Sequence, residues 1–287
     1  MDHVQWEDRP RLRRPVVVAA FEGWNDAADA ASAAARYLKL RWGARTFATV
    51  DPEEFFDFSS TRPQVRIADG LNREIVWPAT EFSAAALPDT PHDVVVLTGT
   101  EPQLRWRTFC SQIVGVATEL RAEMVITLGA LLADVAHTRP VRVTGTAADP
   151  AMVGRLGLER STYEGPTGIL GVLQDAFGTA QLKSASLWAA VPHYVAATPS
   201  PKATLALVRR TADLLSTRVM TAELEQRALD YERQVSEVVA TDDDVSSYVR
   251  RLEEAADVES ASPPMELQSG DVLAAELEKF LREQRED

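Results

Sequence analysis

The chain has 287 residues, of which 45% are hydrophobic, enough for one large or two small domains with a substantial core. Its net charge is −13 and no apolar run approaches the ~20 residues of a membrane helix, so neither nucleic-acid binding nor a membrane span is expected. The charge is uneven: from Ala222 onward there are 19 acidic and 7 basic residues, against 24 and 23 in the rest. That acidic part is either a solvated helical face or a surface for a basic partner.

Met1–Arg14 is polar and Arg-rich, which predicts an irregular arm over residues 1–14, no signal peptide and a cytoplasmic location. Val16–Phe21 (VVVAAF) is short and β-branched, the pattern of a strand buried on both faces. It breaks at Glu22-Gly23-Trp24-Asn25-Asp26, where Gly23 permits a turn and Asn25 or Asp26 can cap an Ala-rich helix starting at Ala27. The break lacks GxGxxG and GK[ST], so it is neither a dinucleotide nor a phosphate-binding loop. Arg45–Val50 reads as a second strand, Asp51-Pro52 as a helix start, and Gln64–Ala68 with Glu74–Trp77 as a hairpin projecting from the sheet.

Asp93–Leu97 and Met124–Leu128 are further buried strands, the second ending at Gly129, with a helix from about Leu104 to Ala122 between them. Val141–Ala147 alternates like an edge strand, and Asp149-Pro150 starts a short helix. Ser161–Gly168 is a glycine-rich loop leading into a helix over Ile169–Phe177, and Ser184–Val191 is the last core strand. This alternation predicts an α/β core domain, residues 15–201, with a mostly parallel sheet. Helices follow over Lys202–Val219, Ala222–Ala240 and Asp244–Val258, a helical extension spanning 202–260. Residues 261–287 read as a linker and an amphipathic helix bearing Leu273, Leu277, Phe280 and Leu281.

In a parallel sheet, ligands gather outside the carboxyl ends of the strands. The ligand-binding candidates are therefore Glu22, Trp24, Asn25, Asp26, Glu101, His137, Tyr163, Thr167 and His193. His137 and His193 beside a carboxylate could do acid–base work, or each could simply fix its loop. Gly165-Pro166-Thr167-Gly168 offers free N–H groups at a helix start, either an anion seat or an ordinary capped turn. Trp24 could line a cleft. No histidine has a ligand-spaced partner and Cys110 is the one cysteine, so no metal, cofactor or disulfide is expected. Cys110 in an apolar helix reads as a buried structural thiol. No GxSxG elbow is present, and no catalytic residue is assigned.

FEGWNDAADAASAAARYL, LTGTEP, LGALLADVAHTRPVRVTGTA, YEGPTGILGVL and SLWAAVPHYVAATPSPKATLALV occur in this order. Together they resemble the proteasome assembly chaperone family, the family of the second eukaryotic assembly chaperone, and most of all its actinobacterial branch. The resemblance covers Pro15–Thr217, and LQSGDVLAAELEKFLREQ resembles the same branch. It implies a three-layer α/β/α domain similar to the phosphorylase/hydrolase-like fold, with added helices. It also implies self-association, in the form of a trimer, and a protein-interaction role in which the proteasome is a candidate partner. Chaperones of this kind can dock on proteasome rings through a C-terminal hydrophobic-Tyr-any tripeptide; Arg285-Glu286-Asp287 does not match it. The alternative function is a small-molecule-binding or hydrolase-like enzyme with its site at the strand ends.

Overall fold

The computed structural model describes residues 2–68 and 70–261. Among these residues ten strands form: β1 (Val4–Trp6), β2 (Val16–Glu22), β3 (Arg45–Val50), β4 (Gln64–Ala68), β5 (Asn72–Val76), β6 (Thr80–Ala85), β7 (Val94–Thr100), β8 (Met124–Ala133), β9 (Val143–Ala147) and β10 (Ser184–Pro192). Among the described residues seven α-helices accompany them: α1 (Ala30–Arg41), α2 (Trp106–Glu119), α3 (Pro150–Leu156), α4 (Ile169–Thr179), α5 (Pro201–Leu214), α6 (Ala222–Val239) and α7 (Asp243–Ala261). The main sheet has the order β1-β3-β6-β7-β2-β8-β10-β9, while β4 and β5 form a separate two-stranded sheet.

The apolar runs occupy the centre of the main sheet. β7, β2, β8 and β10 are mutually parallel, with Val18 registered between Val96 and Ile126. Successive side chains leave a strand on opposite faces, so a strand buried on both sides needs two helical layers. Val16, Val18 and Ala20 face α1 and α5, whose Ala30, Ala31, Ala34, Leu207 and Val208 are buried against them. Val17, Ala19 and Phe21 face α2 and α4, meeting Phe109, Ile113, Leu170 and Leu173. The alanines of α1 leave nothing between its backbone and the sheet but methyl groups.

The flanks of the sheet are antiparallel, through β1–β3, β3–β6, β6–β7 and β9–β10. The sheet is thus mixed, parallel at its centre. Part of the expected arm is strand β1, which pairs with β3 so that Trp6 lies opposite Ala48. No helix starts at Asp51-Pro52. Asp51 Oδ1 accepts from Glu53 N at 3.0 Å and Pro52 O accepts from Phe55 and Phe56 N, closing one turn. Phe55 then turns inward, 5.3 Å from the Phe109 ring, and that burial ends the turn. β8 does not end at Gly129 but runs on to Ala133 beside β10, and the Trp188 ring, 2.6 Å from where a Cβ would lie, leaves room only for glycine there. The expected C-terminal amphipathic helix lies outside the described residues.

α5 joins α1 on the sheet through Leu207 and Val208, and its N-cap is Ser200, whose Oγ accepts from Ala203 N at 3.2 Å. α6 and α7 enclose a smaller core of Ala136, Tyr231, Val235, Val239 and Val249 at the carboxyl end of β8.

Candidate functional site

β2, β7, β8 and β10 all end on one rim of the sheet, and the sequence-predicted site residues divide there into two groups with separate partners. In the first group Gly23 turns the chain at φ +127°, a conformation that favours glycine, and a Cβ there would lie 3.0 Å from Glu101 Cβ. Glu101 therefore packs directly under the turn, its N–H donating to Glu22 O at 2.8 Å. Its carboxylate reaches α4: Oε1 accepts from Ile169 N at 2.7 Å, and Oε2 accepts from Trp24 N at 3.2 Å. Asn25 Oδ1 accepts from Leu170 N at 3.4 Å, and Asn25 O accepts from Ala130 N at 2.8 Å. The N-terminus of α4 has free N–H groups and a positive dipole end. Its anion seat is filled by the chain's own carboxylate, which makes Gly168 the foot of a cap: a Cβ at Gly168 would come within 2.2 Å of Asn25 Oδ1.

Asp26 caps α1 from a distance. Ala27–Asp29 form a 3-10 turn, with Ala28 and Asp29 at φ +51° and +54°. Two successive non-glycine residues in the left-handed region cost roughly 1–2 kcal/mol each. The Asp26 side chain offsets this by accepting, through Oδ1, from Ala31 N at 2.7 Å and Ser32 N at 3.1 Å. Its Oδ2 is buried without a hydrogen-bond partner, and burial pushes the carboxyl above the ordinary carboxylate range. Glu22 faces outward, ion-paired to Arg36 and accepting from Thr100 Oγ1 at 3.3 Å. Trp24 is 62% exposed and so stands in solvent rather than lining a cleft. Tyr163 donates its hydroxyl to Pro166 O at 2.9 Å, and Thr167 Oγ1 donates to Gly168 O at 3.4 Å, so both serve their own loop.

The second group is built around His137, which is buried. Its backbone N–H donates to the Tyr194 hydroxyl at 2.8 Å, and its Nδ1 lies 2.9 Å from the same oxygen. Nε2 lies 3.0 Å from Ser236 Oγ, which in turn donates to Glu232 O at 2.8 Å. One assignment satisfies every atom: Tyr194 O–H donates to Nδ1, and Nε2–H donates to Ser236. That is a neutral imidazole. Burial lowers the His137 pKa, with the Lys202 charge acting in the same direction. Lys202 itself donates to His137 O and pairs with Glu232. Burial also pushes the Tyr194 hydroxyl up to about 12.

His193 belongs to the same cluster. Its Nδ1 lies 3.1 Å from Asp134 Oδ1, which also accepts from Tyr248 O–H at 3.1 Å. Neighbouring Thr138 donates to Glu253, and Arg139 forms a two-pronged pair with Asp257 at 2.7 Å. The histidines therefore fasten α6 and α7 to the rim. The partners on these helices, Ser236 for His137, Tyr248 for Asp134, Glu253 for Thr138 and Asp257 for Arg139, carry no motif and lie about a hundred positions downstream, so sequence reasoning missed them.

A reacting group must come within hydrogen-bond reach of an available acid or base. Both Glu101 oxygens, Asn25 Oδ1 and both His137 nitrogens are instead engaged by this chain. One concavity, of about 20 Å³, opens beside His137, Lys202 and Tyr231 and has room for about one water; another is a groove between α5 and α6. Cys110 is buried, its thiol pushed up to about 12 by burial, which removes the thiolate a nucleophile needs. Among the described residues no group of three or more His, Cys, Asp and Glu could hold a metal ion, and no helix is long and apolar enough to cross a membrane.

What the rim does present is apolar. Of 16 large hydrophobic side chains exposed among the described residues, 11 stand at this end of the sheet. They are Trp24, Leu104, Leu131, Leu132 and Tyr163 on the rim itself, with the rest on or beside the β4–β5 hairpin.

A family model for the PAC2 family matches residues 20–239. The chain belongs to the PAC2 family. It is 46% identical to a PAC2 family protein from Streptomyces avermitilis, with a TM-score of 0.77 over 82% of this chain and 99% of that one. It is equally 46% identical to a Mycobacterium tuberculosis proteasome-assembly chaperone homologue, with a TM-score of 0.74 over the same shares. An archaeal proteasome activator from Pyrococcus furiosus shares the fold at 18% identity, with a TM-score of 0.67 over 83% of this chain and 99% of that one. No curated protein matches. In this PAC2 chain the loops after β2 and β7 meet the end of the glycine-rich loop through Glu101.

Proposed function

We propose that this chain is a non-enzymatic, assembly-chaperone-like docking protein that binds partner proteins through the carboxyl rim of its sheet. One observation carries the reading: Glu101 and His137 on the rim are engaged by the chain's own backbone and side chains, while large apolar side chains on the same rim face solvent. Burying a side chain the size of Trp24 or Leu131 at an interface contributes roughly 1.5–3 kcal/mol, enough for two or three such residues to govern an affinity. The mycobacterial relative described as a proteasome-assembly chaperone homologue supports proteasome subunits as the partner class. Self-association is part of the same reading, with a trimer as the simplest closed ring, and the cytoplasm, where proteasome subunits assemble, is its setting.

The test is a binding titration with purified proteasome subunits from the source organism. Trp24→Asp combined with Leu131→Asp should weaken binding at least about tenfold without changing the melting temperature. Equal binding by this variant and the wild type would overturn the reading.

A further inference from the structure

The β4–β5 hairpin is a sheet of two strands that pairs with no third strand among the described residues. Val65 pairs with Ile75 and Ile67 with Arg73, so Val65, Ile67, Ile75 and Arg73 share one face. All four are exposed, as is Leu71 in the turn. A two-stranded hairpin is marginal in water until its apolar face packs against further strands or a helix. Its base is held by Phe58, whose ring meets Trp77 at 4.8 Å.

The hairpin stands on the carboxyl rim. β3 runs parallel to β7, so the chain leaving Val50 sets out from the rim on which β7 ends, and β6 returns from it. The last described helix finishes on the same rim: Asp257 of α7 pairs at 2.7 Å with Arg139, in the loop after β8, and Ala261 follows one turn later. Residues 262–287 come next. Extended, Ser262–Gly270 spans about 30 Å. The three strand spacings from β8 to β6 amount to about 15 Å. The residues from Asp271 onward therefore have the reach to meet the hairpin within one molecule.

Those residues match the hairpin face in pattern and in charge. From Asp271 the sequence reads as an amphipathic helix with Leu273, Leu277, Phe280 and Leu281 on one stripe. At helical spacing Glu276 and Glu283 fall seven positions apart along one border of that stripe. Residues 262–287 carry seven acidic residues against three basic ones. Residues 61–77 reverse the balance, with three arginines against one aspartate and one glutamate in a chain whose net charge is −13. Arg66 is paired with Glu74, while Arg62 and Arg73 have no ion pair among the described residues. We infer that residues 271–283 lie as a helix across the Val65–Ile67–Ile75 face of their own hairpin, with their acidic border against Arg73. The contact gives the hairpin the helix that a two-stranded sheet needs.

Hydrogen exchange on the full chain tests it. Leu277→Asp with Phe280→Asp should speed exchange of the β4 and β5 amides at least about tenfold while β2 and β8 keep their rates. Cross-linking then locates the contact. Cys110 is buried, so cysteines introduced by Ile67→Cys and Leu277→Cys are the reactive ones. A short bismaleimide should join them within one chain at least about tenfold faster than it joins Leu277→Cys to Leu40→Cys, an exposed position near the end of α1. Unchanged hairpin exchange in the Leu277→Asp, Phe280→Asp variant overturns the contact, as does exchange that rises equally in β2 and β8. Equal cross-linking of the two cysteine pairs, or a cross-link that joins two chains, overturns it as well.

Discussion

Glu101 and His137 stand on the same rim, both at strand ends and both of a residue type that performs chemistry elsewhere, yet each spends its polar atoms in a different way. The Glu101 carboxylate closes a helix start inside the α/β core, bonding the first turn of α4 and the turn after β2. His137 ties late helices to the rim, as a neutral ring between Tyr194 and Ser236. The difference teaches that a rim rich in candidate catalytic residues can be structural throughout. One half is fastened by charge against a helix dipole and the other by a chain of neutral hydrogen bonds.

Breaking the Glu101 side should cost most. Gly168→Ala drives a methyl group into Asn25 and Glu101 and displaces the cap, an expected loss of about 3 kcal/mol, read from denaturant unfolding. Glu101→Ala leaves the Ile169 and Trp24 N–H groups without their acceptor and should cost about 2 kcal/mol, whereas Glu101→Gln, which keeps an acceptor, should cost about half that. Stability as wild type in Glu101→Ala would show that the cap is dispensable and the carboxylate is held for something else.

Breaking the His137 side should cost less and loosen one region first. Tyr194→Phe removes both the acceptor of His137 N–H and the donor to Nδ1, an expected loss of about 1–2 kcal/mol. Hydrogen exchange should then accelerate in α6 and α7 before the central strands. Uniform acceleration through β2 and β8 would contradict the assignment of this cluster as a clamp on the late helices.

The pH dependence sharpens the contrast, at the smallest amplitude. The His137 pKa is lowered on folding, so below its ordinary value of 6.5 the unfolded chain binds the proton more readily. This group's contribution is complete above pH 6.5 and declines as the pH falls through the folded value. His137→Gln should flatten that slope. Asp26 has the opposite sign: its pKa is raised by burial, so the folded chain binds the proton more readily, and its contribution grows as the pH falls toward 3.8. Asp26→Asn should remove that gain, and a slope unchanged in both variants would contradict the burial assigned to them.

What the sequence made legible follows from where the information is local. β2, β7 and β8 announce themselves because burial on both faces demands uninterrupted apolar runs, and the stop at Gly23 marks the turn. β6 (TEFSAA) escapes notice because small polar residues, Thr80 and Ser83, fill its buried positions and only pairing with β3 and β7 makes it a strand. The three residues of β1 are too short to carry a period. The candidate residues Glu101 and Asn25 were visible as strand-end polar groups, but not that each had its partner within the chain. Ile169 lies 68 positions from Glu101, and Ser236 lies 99 from His137. No pattern along a sequence records such a pairing.

The most direct measurement of the rim as a docking surface sets its apolar and polar parts against each other in one binding isotherm with purified proteasome subunits. One variant combines Trp24→Asp with Leu132→Asp; the other combines Glu101→Gln with His137→Gln and is measured at a pH and temperature where it is folded. The account predicts that the apolar variant loses at least about tenfold in affinity while the polar variant binds as the wild type does. Retained binding by the apolar variant with loss in the polar one would contradict it, and would return Glu101 and His137 to the centre of the site.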